Sequence, residues 1–102
     1  MIALINEKRE ELLELCRRYQ VRTLELFGSA ATGEFVPGKS DLDFLVQFDR
    51  PPGTNAFRQY FGFKEDVGEL FACEVDLVEP GAMRNPYFIR RVNESRTLVY
   101  AA

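Results

Sequence analysis

Apolar and polar positions alternate along this chain with two different periods. Up to Gln20 the period is that of a helix. Leu12, Leu15, Cys16 and Tyr19 recur at i, i+3, i+4 and i+7 with Leu13 on the flank, and the charged residues between them run acidic early and basic late, which suits the helix dipole. Val21 to Phe27 reads as a strand ending at Gly28-Ser29, and the loop from Ala30 to Ser40 holds the turn formers Gly33, Pro37 and Gly38. Leu42, Phe44, Val46 and Phe48 then alternate with Asp41, Asp43, Leu45 and Gln47, a second strand of period two.

Asp49 to Thr54 is a turn with Thr54 as candidate N-cap, followed by a long helix from about Asn55 to Phe71. Its apolar side holds Phe57, Tyr60, Phe61, Val67, Leu70 and Phe71, and adding Phe63 makes it wider than one packed face needs. The surplus arc around Tyr60, Phe63 and Leu70 is therefore expected as a partner or self-association face, which would allow a homo-oligomer. Gly62 and Gly68 argue against one unbroken helix. Glu74 to Glu79 is a third strand, with Asp76 on one face and Val75 and Leu77 on the other. Asn85-Pro86 marks a helix start, Tyr87 to about Arg96 the helix, and Thr97 to Tyr100 an edge strand. These elements predict one α/β (α+β) domain over residues 1–102, a small mixed β-sheet backed by helices.

Composition narrows the chemistry. The chain has 102 residues, a net charge of −3 and no histidine. The absent histidines exclude His-based triads and the common zinc sites. The charge argues against direct nucleic-acid binding, which needs a concentrated basic face, but not against a nucleotide whose phosphates a metal neutralises. Cys16 and Cys73 sit in apolar segments, as reduced core residues do. With no signal peptide and no membrane span in the sequence, a cytoplasmic protein is expected.

The candidate chemistry lies in three carboxylates and a turn. Asp41 and Asp43 share a strand face with Cα atoms roughly 6.6 Å apart, and Asp76 stands on another strand. If the strands are neighbours, the three form an oxygen-rich cup suited to Mg²⁺ or Mn²⁺, and two such ions about 4 Å apart clamp an in-line phosphoryl or nucleotidyl transfer. Asp41 and Asp43 would bridge both ions, and Asp76 would bind the one that activates the attacking hydroxyl. Gly28 allows close approach of a nucleoside triphosphate tail, and Ser29 at the start of a short helix donates to its oxygens.

With that order of motifs, Phe27, Gly28, Ser29, Gly33, Ser40, Asp41, Asp43 and Asp76 resemble the nucleotidyltransferase superfamily, of DNA polymerase β-like fold. The small size and the ending NPYFIRRVNESRTLVYAA resemble its minimal nucleotidyltransferase (MNT) branch, typically antitoxins paired with HEPN-domain ribonuclease toxins. The resemblance implies catalytic metal ligands at Asp41, Asp43 and Asp76, and nucleotide contacts at Gly28, Ser29 and Ser40. It further implies Mg²⁺ as cofactor, ATP as substrate and AMP transfer to a tyrosine of a partner HEPN toxin. The chain departs from the family pattern in two places. Eleven residues, Ala30 to Ser40, separate Ser29 from Asp41 where ten are usual, so a bulge is expected in the Val36–Lys39 turn. Ala30 also follows the serine where many relatives carry arginine; Lys64, Arg90 and Arg91 are candidate substitutes, with plain surface charge the favoured reading. Two rival functions are transfer to a small hydroxylated molecule such as an aminoglycoside, and a contact-only antitoxin with a vestigial site.

Overall fold

The computed structural model describes residues 3–102. Its elements in chain order are α1 (Ala3–Glu7), α2 (Arg9–Arg18), β1 (Val21–Phe27), α3 (Ser29–Thr32), β2 (Leu42–Phe48), α4 (Ala56–Phe71), β3 (Val75–Val78), α5 (Pro86–Ser95) and β4 (Thr97–Ala101), with a 3₁₀ turn at Pro80–Ala82. The sheet is ordered β3-β2-β1-β4. β1 runs antiparallel to both β2 and β4, while β2 and β3 are parallel, so the sheet is mixed as expected. Among the described residues no helix is long and apolar enough to cross a membrane.

Alternation along β2 divides the molecule into two unequal sides. Leu42, Phe44 and Val46 point into the main core with Leu24 and Leu26 of β1, Leu12 and Cys16 of α2, and Phe63 and Val67 of α4. Leu45 belongs to a smaller cluster on the opposite face, with Phe27 and Val92 of α5. Asp43 shares that second face with Leu45 because side chains two apart along a strand point the same way. One side of the sheet is thus fully roofed, and the other, thinly covered side carries the carboxylates.

Four sequence expectations are corrected. The first helix is two, breaking at Lys8, and α1 adds a fully buried Ile5 to the core. The N-cap of α4 is Asn55, which accepts from the Arg58 amide, whereas the Thr54 hydroxyl donates to the Pro51 carbonyl. α4 is unbroken despite its glycines. At Gly62 a Cβ would stand 2.8 Å from the Tyr19 ring, so the glycine is a packing site for Tyr19, whose hydroxyl donates to Asp66. Finally, the aromatic arc is displaced. Phe63 is fully buried, edge-on to Tyr19 and Phe48, and Leu70 packs on the core. The exposed aromatics of α4 are Phe57 and Phe61, 74% and 48% exposed with ring centroids 4.6 Å apart. Phe63→Ala is expected to cost about 3–5 kcal/mol, and Phe61→Ser no more than about 0.5 kcal/mol. Denaturant midpoints of the two variants check this directly.

Both cysteines are free. Cys16 is fully buried, which pushes its thiol up to about 12, and Cys73 is half-buried with its thiol raised by burial and by Asp41 and Glu74.

Candidate active site

The site is assembled by register. β2 and β3 pair in parallel with Asp43 opposite Asp76, and β1 pairs with β2 so that Phe27 lies opposite Asp43. Gly28, the residue after Phe27, therefore arrives over the Asp43 carboxyl group. A Cβ on Gly28 would come within 2.4 Å of Asp43 Oδ2, and the residue has φ +72°, so only glycine fits there. Gly28 is also the N-cap of α3, its carbonyl accepting from the amides of Ala31 and Thr32. The first turn of this short helix thus begins beside the carboxylates, with Ala30 buried beneath it.

Around this point lies a cleft of about 520 Å³. Its floor is Asp43, Asp76 and the Gly28-Ser29 turn. One wall is α5, through Phe88, Arg91, Val92 and Ser95; Tyr60 and Lys64 of α4 form the other beside the β3 edge. The Tyr60 hydroxyl donates to the Leu77 carbonyl at 2.6 Å, which seats α4 against that edge. Thr32, Glu34 and Glu94 complete the polar lining.

The electrostatics are those of a site short of positive charge. Glu34, Asp43, Asp76 and Glu94 face only Lys64 and Arg91 across the cleft. Burial pushes the Asp43 carboxyl up to about 6, helped by the charge of Asp76, a hydrogen bond shared with it, and the charge of Asp41. Asp43 and Asp76, opposite one another on adjacent strands and, among the described residues, in no ion pair with Lys or Arg, form a hard-oxygen donor set for a divalent ion.

The sequence-predicted residues do not all converge. Gly28, Ser29, Asp43 and Asp76 line the cleft; Asp41 and Ser40 do not. Asp41 is exposed just ahead of β2. Among the described residues no three Asp, Glu or Cys side chains form a ready-made metal cluster. Asp43 and Asp76 lie opposite each other in the β2–β3 ladder while Asp41 faces solvent, so the third carboxylate stands apart from the other two. Ser40 Oγ accepts from the Val36 amide at 3.0 Å, and the Val36 carbonyl accepts from Lys39 and Ser40. The serine expected at the nucleotide thus closes the turn where the extra loop residue was placed. Of the three candidate cations, Lys64 and Arg91 line the cleft and Arg90 does not.

The sequence reading missed Ser95, whose Oγ accepts from the Gly28 amide at 3.0 Å. The available signal was the stripe Phe88, Arg91, Val92, Ser95 at i, i+3, i+4 and i+7, one face of α5.

A glycine turn thus opens a short helix over two adjacent carboxylates, on the sheet face that only α5 and its small apolar cluster cover. Comparison with known proteins gives the class: residues 8–99 match the family model described as "Nucleotidyltransferase domain", and the chain belongs to that family. A candidate protein adenylyltransferase of Methanocaldococcus jannaschii is 33% identical over 96 residues, covering 94% of this chain and 90% of its own. A solved candidate minimal nucleotidyltransferase superposes with a TM-score of 0.71 at 28% identity, over 91% of this chain and 90% of that one. A chain from the complex of a tri-AMPylated Shewanella oneidensis HEPN toxin with an MNT antitoxin superposes with a TM-score of 0.62, over 95% and 72% of the two chains; at 14% identity this is a likeness of fold. The chain is a nucleotidyltransferase of the minimal type.

Proposed function

We propose that this protein transfers AMP from ATP to a hydroxyl of a partner protein, a HEPN-type toxin, and silences it as an antitoxin. The observation that carries the reading is the β2–β3 register, which sets Asp43 beside Asp76 directly under the Gly28 turn. A triphosphate entering a cleft with four carboxylates and two cations would be repelled unless metal came with it. Asp43 and Asp76 are the residues that would hold Mg²⁺ or Mn²⁺ at the cleft floor. Bound there, the metal neutralises the phosphates and favours ionisation of the attacking hydroxyl.

The chain's own residues supply the rest. The amide and hydroxyl of Ser29, at the start of α3, donate to phosphate oxygens. Lys64 and Arg91 neutralise the tail from opposite walls. The acceptor oxygen bonds to the α-phosphorus as the bond to pyrophosphate breaks, and the hydroxyl proton passes to Asp76 at the cleft floor. Lys64→Met is expected to weaken ATP binding about tenfold, the share of one charge-assisted contact, as calorimetry would read.

A protein acceptor is supported by the exposed aromatics at the cleft rim. Phe61 packs against Tyr60 of one wall, and Tyr87, 76% exposed, precedes Phe88 of the other. It is also what the name of the 33% identical relative describes. ATP labelled at the α-phosphate should mark the partner, and ATP labelled at the γ-phosphate should not. Label from the γ position, or from neither, would overturn the reading.

A further inference from the structure

Gly28 is held from two directions. Below it lies the Asp43 carboxyl group, and from the side Ser95 Oγ accepts its amide proton at 3.0 Å. The same hydroxyl stands 3.4 Å from the Arg91 carbonyl, to which it donates, so its lone pairs are left for Gly28. The next residue, Arg96, grips Glu25 of β1 through two hydrogen bonds of 2.8 and 2.7 Å. Val92, one turn earlier, is fully buried. The end of α5 is thus anchored to β1 at the strand that delivers the turn, and Ser95 cannot drift relative to it.

We propose that Ser95 is a positioning residue for nucleotidyl transfer: its hydroxyl fixes the Gly28 amide and so sets the phosphate-binding turn over the carboxylates. A glycine at φ +72° has a soft backbone, and the β1–β2 ladder ends at Phe27. Nothing in the ladder therefore sets the direction of the next peptide group. Because Ser95 occupies the Gly28 amide, the triphosphate is left to the amide and hydroxyl of Ser29. Ser95 touches no reacting atom; it acts through Gly28. The inference rests on the reading of this turn as the triphosphate site.

The test is calorimetry of a non-hydrolysable ATP analogue and of AMP, both with Mg²⁺, on the full chain. Ser95→Ala should weaken the ATP analogue about tenfold and AMP much less, lowering the ratio of the two affinities, while hydrogen exchange at the Gly28 amide accelerates. Ser95→Thr, which keeps the hydroxyl, should restore both. A merely structural role would weaken both ligands alike and leave the ratio unchanged, and that result overturns the proposal. Wild-type protein that binds no ATP analogue would instead overturn the functional reading beneath it. Should Ser95→Ala fail to fold, Ser95→Cys, a weak acceptor, against Ser95→Thr carries the same comparison.

Discussion

Replacing Asp43 with Asn is expected to make the metal-free protein more stable and the enzyme inactive. The wild-type carboxyl group is pushed up to about 6 by burial and by Asp76 and Asp41, from an ordinary value of 3.8. The folded state therefore binds this proton more tightly than the unfolded chain does. Stability falls as pH rises from about 4 to about 6 and stays reduced above that. After solvent screening is allowed for, the cost at pH 8 is about 1–2 kcal/mol. Asn has no charge to desolvate, so in EDTA at pH 8 Asp43→Asn should melt several degrees higher, on the scale of about 4–8 °C per kcal/mol for a domain this size. Below about pH 4 the difference should vanish. Transfer activity should fall at least about a thousandfold, since Asn is a poor ligand for the ions that neutralise the triphosphate. Thermal unfolding in EDTA across pH, alongside a transfer assay, checks both halves. Equal melting of the two proteins at pH 8 would contradict the electrostatic account.

Gly28→Ala should do the reverse, losing stability and activity together. The added methyl would lie 2.4 Å from Asp43 Oδ2, and φ +72° with ψ −151° is a conformation essentially reserved to glycine, at about 1–3 kcal/mol for alanine. Either the turn lifts or Asp43 rotates away from Asp76. The backbone strain and the lost packing together should cost about 2–3 kcal/mol. Transfer should fall about a hundredfold or more, because an ångström of misplacement at the reacting centre suffices for that. A denaturation midpoint and the labelled-ATP assay measure the pair. Wild-type turnover in Gly28→Ala would mean that the turn does not abut the carboxylates.

The elements were legible in the sequence wherever period and punctuation agreed. β2 announces itself by strict alternation, and Asn85-Pro86 places the start of α5 because the Asn85 side chain does accept from Tyr87 and Phe88. The Gly28-Ser29 turn and Asp43 were visible as a pattern, since each sits at a strand end where its neighbours fix the strand. What failed was information carried by distant partners. Gly62 looks like a helix breaker until the Tyr19 ring, from 43 positions earlier, fills the space above it. Phe63 and Phe61 are alike in composition, and only the direction of α2 and the sheet decides that Phe63 is core and Phe61 surface. Ser95 is separated from Gly28 by 67 positions, and an isolated serine at a helix end has many uses. Asp41 and Ser40 match the family pattern, yet the loop holds one outside the cleft and spends the other on its own closure.

Intact-mass spectrometry of the partner reads AMP transfer itself. A HEPN-type toxin incubated with this protein, ATP and Mg²⁺ should gain mass in whole AMP units and lose ribonuclease activity. With Asp43→Asn neither change should occur. A toxin that keeps its mass but is inhibited equally by wild type and Asp43→Asn would rule out AMP transfer and identify a contact-only antitoxin.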